Sequence, residues 1–209
     1  MPKAAYHHGD LANALVAEAM RRVDIGGAEA VSLRELASQL GVSRAAPYRH
    51  FADREALLAA VAAKGFETLI ASYEAALQSP GDGLAKLRAL NAAFFEFATR
   101  RPGLYQLMFA SEFLRGDRPP ATLAPLASYA YRLLWQAVRG AYPDESEAQV
   151  KARTVIMVST AHGFLDLERA GRFKPFMYEP LSRSDLVDAV MRAAIGEGVS
   201  PDRGAHVPT

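Results

Sequence analysis

Four arginines, Arg34, Arg44, Arg49 and Arg54, fall within twenty-one residues and are interleaved with Tyr48 and His50. A guanidinium is permanently charged and presents its N–H donors in a rigid fork that suits phosphate and other planar oxygen acceptors. Residues 1–69 hold eight Lys or Arg against eight Asp or Glu, so this part of the chain is formally neutral. Attraction for a polyanion must then come from where the arginines point, because counterion release is counted only over contacted phosphates.

A second set of chemical groups is sparser. His162 and Asp166 stand four residues apart on one expected helix face, as metal ligands can. Only two ligands are local, so a His–Asp hydrogen bond or a polar group in a pocket is the stronger expectation. His7 and His8 beside Gly9 are a weaker metal signal and read better as a polar arm near phosphates or as a solvated terminus. The chain has no cysteine, which excludes disulfides and thiolate metal sites. Gly-rich phosphate loops, G-x-S-x-G elbows and H-E-x-x-H pairs are absent. No catalytic site, metal or cofactor is expected.

The elements that must position the arginines are legible around them. Ser32 and Glu35 have the S-x-x-E spacing of a capping box, which starts a helix near Leu33. Leu36, Ala37 and Leu40 keep helical spacing, and Gly41 follows where a left-handed residue would end the helix. Val42 is expected to enter the core, Ser43 to cap a second helix, and Phe51 to anchor it inward. Two helices joined by a short turn, residues 32–51, form a helix-turn-helix, whose second helix lies in the DNA major groove. A capping box and a glycine turn also occur in helical proteins that never touch DNA.

The segment Gly41 to Leu58, G-V-S-x-x-x-x-Y-x-H-F followed by D-R-E-x-L-L, resembles the TetR family of bacterial transcriptional regulators. The resemblance runs over residues 9 to 69, from a first helix near Asp10. It implies that Arg34 reaches a base edge, where arginine pairs well with guanine. It places Arg44, Ala45, Ala46 and Tyr48 on the groove-facing side, with Ser43 at the helix start. Ser32, Arg49, His50 and Arg54 are implied as phosphate contacts. Pro47 departs from the family's usual leucine. As the fourth residue after Ser43 it removes the first intrahelical hydrogen bond.

Outside this segment, Leu11, Leu15, Ala19 and Val23 form one stripe of a first helix that Gly26 and Gly27 stop. Asp53 is placed to cap a long helix reaching about Gln78, with Leu58, Val61, Gly65, Leu69, Tyr73 and Leu77 at helical spacing. Further helices are expected at about 84–100, 103–114, 121–140, 145–171 and 182–196, followed by a disordered tail from Pro201. The fold class is therefore all-α. An N-terminal three-helix domain, residues 9–69, is expected to be joined by a long helix to a C-terminal bundle, residues 83–197, for which the resemblance implies ligand binding and dimerisation.

Aromatic side chains concentrate in the second half. Core packing explains each of them separately, and a ligand cavity between helices is the alternative. The family resemblance implies such an effector pocket, expected to be lined by some of Phe97, Tyr105, Tyr131, Trp135 and His162. FFEFATRRPGLYQLMF and AHGFLDLERAGRF look like the WHG-type effector domain, although no tryptophan precedes His162-Gly163. Ala152, Ser159 and Gly163 among Val155, Ile156 and Val158, with Leu186, Val190, Ala193 and Ala194, suggest a homodimer through the last two helices.

The N-terminus lacks an apolar signal core, and no stretch reads as membrane-spanning, so a cytoplasmic protein is expected. The overall expectation is a repressor on double-stranded operator DNA, released by a small, mainly apolar effector. A small helical enzyme using His162 and Asp166, with Glu168 nearby, and a nonspecific nucleic-acid-binding protein are the alternatives.

Overall fold

The computed structural model describes residues 11–110 and 122–197, and among these the chain is helical with no strand. His7 and His8, the end of the helix expected at 103–114, and the tail from Pro201 lie outside the described residues. Helix α1, Leu11–Gly26, buries Leu11, Leu15, Ala19 and Val23, the stripe that its periodicity requires. Gly27 ends it with φ of +72°, and its N–H returns to the Val23 carbonyl at 2.8 Å. A single 3-10 turn, Ala28–Ala30, leads into α2, Leu33–Gln39, which buries Leu33, Leu36 and Ala37.

Helix α3, Arg54–Leu77, begins where the Asp53 carboxylate accepts the Ala56 N–H at 2.7 Å. Its 24 residues make it about 36 Å long at 1.5 Å per residue. By length and composition α3 is apolar enough to cross a membrane, which corrects the reading that no stretch is. More than half of that apolar window is buried inside the protein. Leu57, Leu58, Val61, Ala62, Phe66, Leu69, Ile70 and Tyr73 are all buried, an arc too wide for a single contact face. A helix buried over so wide an arc, with only a narrow face carrying Lys64, Glu67 and Glu74 exposed, carries a weak amphipathic signal, and hydropathy alone does not separate it from a membrane span.

The described chain divides into two compact units. One is built from residues 11–74 together with 96–110 and 122–133, the other from 75–95 together with 134–197. The boundaries fall inside α3, inside α4, Gly83–Arg100, and inside α6, Leu123–Ala141.

In the first unit, α5, Pro102–Phe109, lies against both α1 and α3. At Gly65 of α3 a Cβ would overlap the Met108 sulfur, and the Phe66 and Phe109 rings meet edge to face at 5.5 Å. At Gly103 a Cβ would overlap the Val23 carbonyl oxygen of α1. Beside it, Arg101 Nε donates to Asp24 Oδ2 at 2.6 Å.

The second unit contains α7, Glu147–Arg169, the short α8, Pro175–Tyr178, and α9, Arg183–Ala194, which packs on α7. Val150, Thr154, Met157, Ala161, Phe164 and Leu165 form the buried face of α7. Two reciprocal capping boxes begin helices here, Ser146 with Gln149 at α7 and Ser182 with Asp185 at α9. Helices α7 and α9 fall within a few residues of the helices expected at 145–171 and 182–196, while the short α8 was not expected.

Gly103→Ala is expected to destabilise the protein by about 1–3 kcal/mol, because the obstacle is backbone rather than a side chain that could turn aside. Chemical denaturation read by circular dichroism measures this; an unchanged midpoint would show that α1 and α5 are not in such close contact.

Candidate nucleic-acid interface

Besides the buried face of α2, polar side chains of α1 hold it, Arg22 foremost. Arg22 Nη1 lies 2.5 Å from Glu35 Oε2, and Arg22 Nη2 donates to Gln39 Oε1 at 2.7 Å. Periodicity could not reveal this brace, since its partners lie thirteen and seventeen residues away. It also corrects the capping box expected at Ser32. The Ser32 backbone takes the extended N-cap conformation, yet its side chain makes no cap bond. Glu35 faces Arg22 instead, because a charge-assisted contact outweighs a bond to one backbone N–H. The helix begins with Leu36 N–H on the Ser32 carbonyl at 3.0 Å.

The turn after α2 closes as expected. Gly41 takes φ of +69°, and Val42 N–H reaches back to the Ala37 carbonyl at 3.0 Å, the six-to-one bond of a Schellman motif. Val42 is half-buried rather than fully inside.

The second helix is the main correction. The segment from Ser43 to Phe51 contains no α-helix, only a 3-10 turn at Pro47–Arg49 preceded by a turn at 44–45. Proline at 47 has no N–H to give the Ser43 carbonyl, which Ala46 N–H takes at 3.0 Å, one residue early. The i→i−3 pattern continues with Arg49 N–H on Ala46 O at 3.2 Å and His50 N–H on Pro47 O at 3.0 Å. Phe51 N–H also reaches Pro47 O at 3.0 Å. Ser43 contributes a carbonyl here, not the hydroxyl cap the sequence suggested. Pro47 is the buried anchor of the segment, while Phe51 is only half-buried.

This short segment displays its polar groups outward. Arg34, Ser43, Arg44, Ala45, Arg49 and His50 are exposed, Tyr48 is 51% exposed, and Ser32 and Ala46 are half-buried. Among the described residues, no carboxylate pairs with Arg34, Arg44 or Arg49. Three unpaired guanidiniums beside an exposed phenol and imidazole are suited to phosphate and base-edge hydrogen bonds.

Arg54 is placed differently from the expected phosphate contact. Its Nε donates to Val31 O at 3.1 Å and its Nη2 to Ala28 O at 2.7 Å, with Glu29 at 3.3 Å. It holds the 3-10 turn between α1 and α2 against the start of α3.

The residues expected around an effector are divided between the units. Phe97 and Tyr105 are buried in the first unit, where Tyr105 meets Phe109 at 5.4 Å. Tyr131 is also in the first unit but is 43% exposed. Its helix buries the seam Leu123, Ala130, Leu133, Leu134, Ala137 and Val138, and Tyr131 lies off that seam. Trp135 and His162 belong to the second unit and are half-buried.

The His162 ring packs against Phe94 at 5.1 Å between centroids. Burial holds its imidazole below the ordinary histidine range, and the Asp166 carboxylate opposes the shift. Among the described residues no group of three or more His, Asp or Glu is placed to hold a metal ion.

The α1–α2 brace, the glycine turn and the exposed basic segment occupy the place of a helix-turn-helix, with a 3-10 turn where its second helix would stand. Residues 15–61 match the family described as bacterial regulatory proteins, tetR family. Residues 87–194, more than half of the chain, match the tetracyclin repressor-like C-terminal domain. The chain belongs to the TetR family of DNA-binding transcriptional regulators, whose members are not enzymes.

A solved protein of unknown function from Rhodococcus sp. RHA1 is similar at 30% identity and a TM-score of 0.75, over 93% of this chain and 96% of that one. The TetR family regulator PfmR from Thermus thermophilus shares the fold, with a TM-score of 0.63 at 21% identity, over 90% and 99% of the two chains. The transcriptional activator FasR from Mycolicibacterium smegmatis is 31% identical over 88 residues, 42% of this chain and 40% of that protein. The chain spans less than half the length of the curated relatives it matches.

Histidine in an unfolded chain titrates near about pH 6.5. Because folding lowers that value at His162, the unfolded state binds its proton more readily. The stabilising contribution is present above about pH 6.5 and is lost as pH falls through the folded value. The thermal midpoint should therefore decline as pH falls from about 7 to about 5, and His162→Gln should flatten that part of the profile. An identical profile in the variant would show that His162 does not carry the effect.

Proposed function

We propose that this regulator is a homodimeric, cytoplasmic repressor that binds a near-palindromic operator and leaves it when a small, mainly apolar effector binds. The observation that carries the DNA-reading half of this proposal is the exposed, unpaired set Arg34, Arg44 and Arg49 flanking the Pro47 turn. Arg34, Arg44 and Tyr48 face base edges, with Ala45 and Ala46 offering apolar contact to thymine methyl groups. Ser32, Ser43, Arg49 and His50 hold the phosphates on either side. The match of residues 87–194 to a tetracyclin repressor-like domain supports both repression and an effector.

The second face of α7 supports the dimer. Opposite its buried seam, Ala152, Val155, Ile156, Ser159, Gly163 and Leu167 recur at helical spacing and are all exposed, with Val155 at 55% and Ile156 at 56%. Leu186 and Val190 of the adjoining α9 are half-buried. Small and apolar residues on two packed helices suit an isologous four-helix contact about a two-fold axis. A two-fold dimer would read half-sites about 34–36 Å apart, one helical turn of DNA.

Activation is a second reading, favoured by the likeness to FasR, whose name records it as an activator. Both readings use the same contacts and differ in where the operator lies relative to the promoter. A reporter fused to the selected operator separates them. Expression that rises when the gene is deleted supports repression; expression that falls supports activation.

Arg44→Ala should cost about 1–3 kcal/mol of operator binding and relax base preference at one position in each half-site. Arg54→Ala should instead lower unfolding stability by about 1–2 kcal/mol, because it releases two carbonyls inside the fold. Binding-site selection and denaturation on both variants check this; equal, sequence-independent losses of DNA affinity would contradict it.

Ile156→Asp should yield a folded monomer by light scattering at micromolar concentration, with operator affinity reduced at least tenfold. A dimer mass for that variant would refute the α7 interface.

A further inference from the structure

We propose that Pro47 is a specificity-determining residue. By holding residues 43–50 in a 3-10 path it sets Ala45, rather than Arg44, beside Tyr48, so that the base under Tyr48 is read as thymine rather than guanine. Tyr48 and Arg44 keep the base-edge roles proposed above, on which this inference rests.

The backbone forces this register. In an α-helix capped at Ser43, residue 47 is the first whose N–H must bond, to the Ser43 carbonyl, and proline has none to give. Ala46 N–H takes that carbonyl at 3.0 Å, Arg49 N–H follows onto Ala46 O at 3.2 Å, and His50 N–H onto Pro47 O at 3.0 Å. Such i→i−3 bonding turns the chain by about 120° per residue, against about 100° in an α-helix, and raises it about 2.0 Å per residue instead of about 1.5 Å. Pro47 itself is buried, so the turn is held from within the fold.

The two paths present different surfaces. On an α-helical path side chains four apart share a face, which would pair Arg44 with Tyr48 and Ala45 with Arg49. On the 3-10 path side chains three apart eclipse, which lines Ala45 up with Tyr48 and Ala46 with Arg49. Arg44 then lies about a third of a turn from Tyr48 and about 8 Å along the axis. Ala45, Tyr48 and Arg49 are exposed and Ala46 is half-buried, so each long polar side chain has a methyl group as its neighbour.

The chemistry of the two pairings differs. A guanidinium beside the phenol would offer a fork of donors to the O6 and N7 acceptors of guanine. A methyl group there offers no donor. It packs on the C5 methyl of thymine, while the Tyr48 hydroxyl donates to the adjacent O4. Arg44 is left to read a position of its own.

Binding-site selection on the full chain and its variants tests this. Tyr48→Ala should flatten a thymine preference, and Arg44→Ala a preference at a different position of the half-site. Pro47→Leu should make residues 44–50 α-helical, read from backbone NMR shifts, and select guanine at the Tyr48 position, favoured about tenfold. Adding Arg44→Ala to Pro47→Leu should erase that guanine preference.

An equal loss of affinity for all sequences in Pro47→Leu, with the selected operator unchanged, would make Pro47 purely structural and overturn the proposal. So would a folded variant that keeps the 3-10 path, or a guanine preference that survives Arg44→Ala. Tyr48→Ala and Arg44→Ala flattening the same position in the unaltered background would overturn it too, while leaving both base-reading roles intact. Tyr48→Ala that weakens every sequence alike overturns the base-reading role itself, and this inference with it. If Pro47→Leu does not fold, Pro47→Ala replaces it, since alanine favours the helix and adds no bulk at the buried position. The comparison of Tyr48→Ala with Arg44→Ala decides independently of either.

Discussion

The long helix α3 has more apolar surface than one neighbour can cover, and the first unit is organised by that requirement. Its buried residues, from Leu57 and Leu58 to Ile70 and Tyr73, cover a broad arc and leave only a face with Lys64, Glu67 and Glu74 exposed, so more than one neighbour must cover it. At about 25 cal/mol per Å² of apolar surface, leaving such side chains in water would cost more than a small domain's net stability. Close approach by α5 at Gly65 and the Phe66–Phe109 contact are two of the ways the fold meets this demand. The Asp53 cap starts α3 two residues after the reading segment ends, so the enclosed helix also sets where that segment emerges.

From this rigid element, arginines of different burial take different roles. Arg22 and Arg54 point inward or along the surface, tying α1 to α2 and the intervening turn to α3 through carboxylates and carbonyls. Arg34, Arg44 and Arg49 have no such partners among the described residues and face outward. The formal neutrality of the N-terminal part therefore misleads. Acidic residues such as Glu18, Glu29 and Glu35 are paired with the structural arginines and do not cancel the exposed ones. Local pairing, rather than net charge, determines what a polyanion would meet.

The second unit shows the same division on a single helix. One seam of α7 is buried against its own unit, and the other combines small and branched apolar residues in contact with water. A helix with two apolar stripes has one more than its own core needs, which is what makes the outer stripe significant.

Residue order alone determined much of this. Local periodicity located α1, α3, α4, α6, α7 and α9, because burial repeats every three or four residues and proline or glycine interrupts it. The Gly41 turn and Asp53 cap were legible because each is a bond within a few residues. The arginine cluster and the family's G-V-S…Y-x-H-F phrase located the reading segment. Tertiary structure decided everything that depends on a distant partner. Glu35 had the right spacing for a cap, but Arg22, thirteen residues upstream, claimed it. Arg54 resembled a phosphate ligand until the carbonyls of Ala28 and Val31 came within reach. Tyr131 lay off its helix's buried seam. Spacing records which bonds the chain can make with itself nearby, and only the folded chain shows which competing partner each charged or polar group meets.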